Sequence, residues 1–170
     1  LFNETTDWTK IITEEAIKDM ESKGDVQEIL SKSFYEILDH KNYIFYDVFK
    51  EKQINTSINY PIHIKRITTN LCLGTKDLSD ISPLEILEKN FLLKEKLIVN
   101  EIFNNNRLIH ILIDIHLHPK NLIYNFKIQK EEYYKIIDHI EYLFENSRIS
   151  SGEMVGAVAA QSIGEPATQM

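Results

Sequence analysis

The sequence predicts a mainly α, irregular multi-helix domain with possible short strands, closed by a C-terminal helix of a different kind. Three observations predict it. Apolar residues recur at helical spacing in most segments up to residue 150, and several of those segments open on Asp or Ser-Pro start signals. From residue 152 onward the composition changes: all 19 Lys and Arg and 25 of the 26 isoleucines lie earlier, whereas three of five glycines and four of five alanines lie in the tail. A solvated surface helix carries Lys or Arg on its outer face, so a basic-free, small-residue segment is suited to close packing against something larger.

The elements follow in order. Residues 8–22 place Trp8, Ile11, Ile12, Ala16 and Met20 at helical spacing, with Gly24 as C-cap. From Asp25, an N-cap, Val26, Ile29, Leu30, Phe34, Ile37 and Leu38 form one stripe, and a second apolar face runs from Tyr43 to Phe49, which fits one or two helices. Residues 54–61 read as a polar loop ended by Pro61. The pattern of residues 62–74 fits either a helix or a short strand, and periodicity alone does not choose. Ser82, Pro83 and Glu85 give an N-cap, a first-turn proline and a first-turn acid for a helix over 82–98. In 101–118 the β-branched density favours a strand and the length favours a helix; we expect a helix stopped by Pro119. A short helix to about Phe126 follows, then a strongly amphipathic one over 130–146 with Tyr133, Ile136, Ile137, Ile140 and Phe144 facing inward.

Bulk properties narrow the function. With 43% hydrophobic and 26% charged residues, the 170-residue chain has the balance of a soluble globular protein with one or two cores. A net charge of −7 argues against a free-standing nucleic-acid binder, which carries a basic field on at least one face. The single cysteine, Cys72, excludes an internal disulfide and a Cys-based zinc site and fits a reducing compartment. The longest apolar runs, near 108–117 and 155–163, are too short and interrupted to span a bilayer. No initiator Met stands at Leu1, and Met170 falls inside a motif, so a fragment of a longer polypeptide is expected.

Candidate chemistry is sparse. His110, His116 and His118 stand near Asp114, but on a helix residues i and i+2 point about 200° apart, so His116 and His118 are expected to face different ways rather than share a metal. His63, Lys65 and Arg66 form a small basic patch able to meet phosphate, though a solvated face is the simpler account. Gly74 is isolated, and the tail glycines do not form a phosphate loop. Ser162 lacks the G-x-S-x-G setting of a nucleophile elbow. Asp77 and Asp80 are expected to cap the helix that follows them.

The tail carries the strongest signal. Gly156, Ala160 and Gly164 fall at i, i+4 and i+8, a groove of minimal side chains where another backbone can approach. Pro166 lacks an N–H and crowds the carbonyl of Ser162, so the helix is expected to end, kink or loosen near Glu165. Gln161, Ser162, Thr168 and Gln169 are the uncharged polar side chains left for specific contacts.

The string GEMVGAVAAQSIGEPATQM, residues 152–170, resembles the segment that leads into the trigger loop of the largest subunit of multisubunit RNA polymerases. Glu153-Met154 after Gly152, and Ala167 after Pro166, resemble the RNA polymerase II version more than those of polymerases I and III. Upstream, YPIHIKRI (60–67) and DLSDISPLEILEKN (77–90) look like the foot of the same subunit, and the helix ending at SRISSGEMVG sits where the family places its last foot helix. Ser151 departs from the family, which commonly has Pro there, and this loosens the linker. The resemblance implies three segments: 1–24, an unassigned N-terminal helix; 25–150, a foot-like helical domain; and 151–170, a stem leading into the trigger loop and belonging to the polymerase core. It also implies DNA-directed RNA synthesis in the nucleus by an intact enzyme that uses Mg²⁺ held outside this segment. The implied partners are other RNA polymerase II subunits, the DNA template and RNA. Within the chain it assigns no catalytic residue and no metal ligand. Gln169 matches the Gln that approaches the incoming ribose, and Gly156, Ala160, Gly164 and Pro166 would pack the stem. The isolated stem is expected to pack on the foot, pack on a neighbouring copy or fray, because its true neighbours are missing. The alternative reading is a docking module whose acidic foot helices recruit transcription regulators.

Overall fold

The computed structural model describes residues 6–22, 26–49, 60, 62–72, 78–97 and 107–168. Gly24, Asp25, Pro61, Gly74, Asp77, Gln169 and most of the loop expected over 54–61 lie outside the described residues. Seven α-helices are described: α1 (Glu14–Ser22), α2 (Val26–Tyr43), α3 (Ile64–Leu71), α4 (Pro83–Lys96), α5 (Arg107–His116), α6 (Lys130–Ser147) and α7 (Val155–Thr168). A 3₁₀ turn at Trp8–Lys10 precedes them, and π-helical runs at Ile44–Val48 and Asn121–Phe126 follow α2 and α5.

The mainly α expectation holds, and both segments left between helix and strand are helical. Among the described residues no strand forms; β pairing is limited to a bridge between Ile12 and Ser79. That bridge explains why residues 8–22 do not form one helix. Ser79 N donates to the Ile11 carbonyl at 3.1 Å and Thr13 N donates to the Ser79 carbonyl at 3.0 Å, which keeps residues 11–13 out of the helix between the 3₁₀ turn and α1.

Helix α4 starts as its sequence dictates. Ser82 Oγ accepts from Glu85 N at 3.2 Å, Pro83 occupies the first turn, and Lys94 and Lys96 sit in the last turn, where the helix dipole favours cations. Asp80 acts elsewhere than expected. Its Oδ1 accepts from Lys130 N at 2.6 Å, so it caps α6, fifty residues on, while Ser82 caps α4. Ser79 Oγ donates to the Ile128 carbonyl at 2.6 Å and Gln129 Nε2 donates to the Leu78 carbonyl at 3.0 Å. The chain before α4 is thereby tied to the start of α6.

The core joins α3, α4, α5 and α6 with Ile12 and Ala16. All five residues expected inward on α6 are buried: Tyr133, Ile136, Ile137, Ile140 and Phe144. Tyr133 is fully buried, and its hydroxyl lies 3.1 Å from the Ile86 carbonyl and 3.0 Å from Asn90 Oδ1. Asn90 Nδ2 in turn donates to the Leu117 carbonyl at 2.9 Å, so one satisfied polar chain links α6, α4 and the end of α5. Burial pushes the Tyr133 hydroxyl far above its usual pKa.

The stripe expected on α2 is only partly used. Leu30 is buried, whereas Ile29 and Leu38 remain about two-fifths exposed (40% and 38%). Polar groups help to hold this helix: His40 Nε2 lies 2.9 Å from Asp114 Oδ2 on α5, and Lys94 of α4 pairs with the other oxygen of Asp114 at 2.5 Å. Pro119 lies just past the end of α5, as expected, and has a second role. It opens a second helical run, with His118 before it accepting from Lys120 N through Nδ1 at 3.2 Å, the geometry of an N-cap with proline in the first position. The run closes at Lys127, whose φ of 47° is left-handed.

Candidate functional site

Two places on the surface combine features that a folded core does not require. The first is α7. Ser151 and Gly152 form a turn with Gly152 at φ 92°, a conformation that favours glycine, and this turn separates the stem from α6. Every residue from Val155 to Pro166 is exposed, and none belongs to the hydrophobic core. Ile163 is 75% exposed and Met154 beside the helix 76%, values that a folded chain gives to large apolar side chains only where nothing covers them. A Cβ added at Gly156 or Gly164 would meet nothing within 4 Å. The small-residue groove is open, with Gly156, Ala160 and Gly164 spaced as expected along the helix.

One expectation for this segment needs correction. The helix does not end near Glu165: among the described residues it continues through Pro166 to Thr168, with the proline leaving the Ser162 carbonyl without its helical N–H donor. Of the arrangements expected for the stem, packing on the rest of this chain is not seen: residues 155–166 are exposed and outside the core. It is an exposed helix favoured by its alanines, and the Ser162 hydroxyl donates back to the Val158 carbonyl at 2.8 Å. Gln169 lies outside the described residues.

The second place is a pocket of about 520 Å³ between α2, α3, the end of α5 and the π-helical run after it. His116 and His118 both line it, contrary to the expectation from helical spacing. Helix α5 stops at His116, so His118 lies past its end and the 200° rule no longer applies. Lys65 of the basic patch joins them. His63 does not: its Nδ1 caps α3 by accepting from Arg66 N at 3.2 Å. Burial, with the nearby Lys65 and His63 charges, lowers the His116 pKa, and burial foremost lowers that of His118. His110 is separate, its pKa lowered by burial and by Lys94. Sequence reading missed this pocket because Lys65, His116 and Lys120 come from segments about fifty residues apart, and nothing in local spacing announces their meeting.

Neither place is built for metal chemistry. Among the described residues, no group of three or more His, Cys, Asp or Glu side chains could hold a metal ion. Burial pushes the Cys72 thiol up to about 11, far from the reactive thiolate range. No helix among the described residues is long and apolar enough to cross a membrane.

Comparison with known proteins bears on α7 directly. Residues 103–170 match the family described as RNA polymerase Rpb1, domain 5, a match that takes in α5, α6 and all of α7. Over 136 residues, 78% of the chain, the sequence is 26% identical to the DNA-directed RNA polymerase subunit 1 of Acanthamoeba polyphaga mimivirus. The matched stretch is 8% of that relative's length. The exposed small-residue helix thus lies within the part of the chain that carries the polymerase pattern, and the chain is similar to a piece of a DNA-directed RNA polymerase subunit 1.

Proposed function

We propose that the chain is part of the largest subunit of a DNA-directed RNA polymerase of the RNA polymerase II type, acting in DNA-templated RNA synthesis in the nucleus. Residues 25–150 form a foot-like scaffold, and residues 151–170 form the stem from which a trigger loop would continue. One observation carries this reading: a 14-residue helix with no basic residue, small residues in register and apolar side chains in water. Such a helix is left with an unmet packing requirement, which the body of a polymerase would meet. The other subunits, DNA, RNA and Mg²⁺ belong to that assembly. Gln169 is the position that would approach an incoming ribose.

On this reading the chain by itself has no catalytic activity, and primer extension by the isolated 170 residues would refute it. The direct test is Ala160→Leu in the assembled enzyme. Overpacking of a closely fitted helix costs about 1–3 kcal/mol, so elongation should slow while the isolated chain keeps its fold. An elongation rate equal to that of the parent would overturn the assignment of the stem.

A docking role is the second reading, favoured by the exposed Tyr35, Phe45 and Tyr46 on and after α2. Capture of transcription regulators that is lost on Tyr35→Ala with Phe45→Ala, yet kept on Gln169→Ala, would support it.

A further inference from the structure

We propose that the pocket between α3, the end of α5 and the π-helical run is a docking site for an acidic peptide of a protein partner, with one carboxylate seated between Lys65 and Lys120 and an adjacent apolar residue against Ile37, Ile115 and Phe126. The chain as a whole carries a net charge of −7, yet none of the described residues lining this pocket is a carboxylate. A local cationic recess in an acidic surface is the electrostatic complement of a single acidic side chain. A polyanion such as RNA would meet the same recess at the cost of repulsion from the rest of the molecule, which makes a short peptide the better fit.

The polar wall of the pocket is held by internal bonds. Lys120 N donates to His118 Nδ1, which leaves the proton of the neutral ring on Nε2. That Nε2 is buried away from the pocket surface, and the ring also borders the neighbouring recess that Lys94 and Asp114 line, so His118 serves as part of the wall. Asn121 and Asn125 are held by their own bonds, Asn121 Nδ2 to the His116 carbonyl at 3.0 Å and Asn125 Nδ2 to Asn121 Oδ1 at 2.7 Å, which fixes the polar wall before any ligand arrives. The wall stands on a π-helical run ending in a left-handed Lys127, an irregular backbone of the kind often kept where a surface binds something. The apolar side completes a concave site within the usual size range for ligand pockets.

The site stands on the pocket alone, and it holds or fails independently of the assignment of α7. The test is an NMR titration of the full chain with the peptide acetyl-Gly-Asp-Leu-Asp-Phe-Gly amide. Saturable shifts should gather on the amides of Thr68, His116, His118, Asn121 and Asn125. Replacing both peptide Asp by Asn should abolish them. The pair Lys65→Glu and Lys120→Glu should weaken binding about tenfold or more, since each exposed charge contact contributes a fraction of a kcal/mol and reversal doubles the change. Lys135→Glu, on an exposed part of α6, should leave binding unchanged, and unshifted core resonances will show that each variant folds. The proposal is overturned if no saturable shift appears at this pocket at millimolar peptide, if the Asn peptide binds as well, if the Lys pair has no effect, or if inorganic phosphate or an oligouridylate occupies the pocket more tightly than the peptide.

Discussion

Gly156→Ala together with Gly164→Ala separates the isolated chain from its proposed assembly. In the isolated chain both positions lie inside a 14-residue helix, and an added Cβ meets nothing within 4 Å. The only energetic change is then the helix propensity of Ala over Gly, about 1 kcal/mol per site and about 2 kcal/mol for the pair. Because α7 shares no residue with the core, this gain is local. Global urea unfolding should not move, while amide exchange within α7 should slow by about thirtyfold, taking 1.4 kcal/mol per factor of ten. In the assembled polymerase the same two methyls would sit where a neighbouring backbone approaches, and elongation should slow instead. Opposite signs in the two settings are the expected result. Unchanged exchange in α7 would refute the exposed helix, and unimpaired elongation by the assembled variant would refute the close-packed groove.

Three further outcomes follow from the fold. Tyr133→Phe removes the buried hydroxyl that Asn90 Oδ1 accepts and should cost about 1–3 kcal/mol in urea unfolding; Asn90→Ala in the same background should add less than it does alone, because the two act through one bond. Asp80→Ala should cost about 1 kcal/mol and speed amide exchange at the start of α6, with Asp80→Asn recovering part of the loss, whereas exchange at the start of α4 should not change. The pKa values of His110, His116 and His118 are all lowered in the folded chain, chiefly by burial, from an unfolded value near 6.5. As pH falls through 6.5 the unfolded chain takes up protons that the folded chain refuses, so stability present at pH 7.5 should decline toward pH 5.5. Urea midpoints should show a smaller decline when all three are replaced by Gln, and an equal decline would place the pH sensitivity elsewhere.

The sequence by itself determined the helical class, the inward face of α6, the start of α4 at Ser82-Pro83 and the contrast between the tail and the rest. These are local matters: a period of 3.6 residues, a cap, a first-turn proline and the absence of basic residues act over a few positions and can be read there. It also located the one segment whose character asks for neighbours beyond this fold, in Gly156, Ala160 and Gly164. Only the tertiary structure decided where the long-range bonds go. Asp80 caps α6 and not α4, Ser79 breaks the first helix by bridging to Ile12, and Lys65 meets His116, His118 and Lys120 in one pocket. Each outcome depends on which distant donor or charge arrives within about 3 Å or within one recess. Chain spacing carries no record of that meeting, because it is set by how the helices pack and not by any residue's own neighbours in sequence.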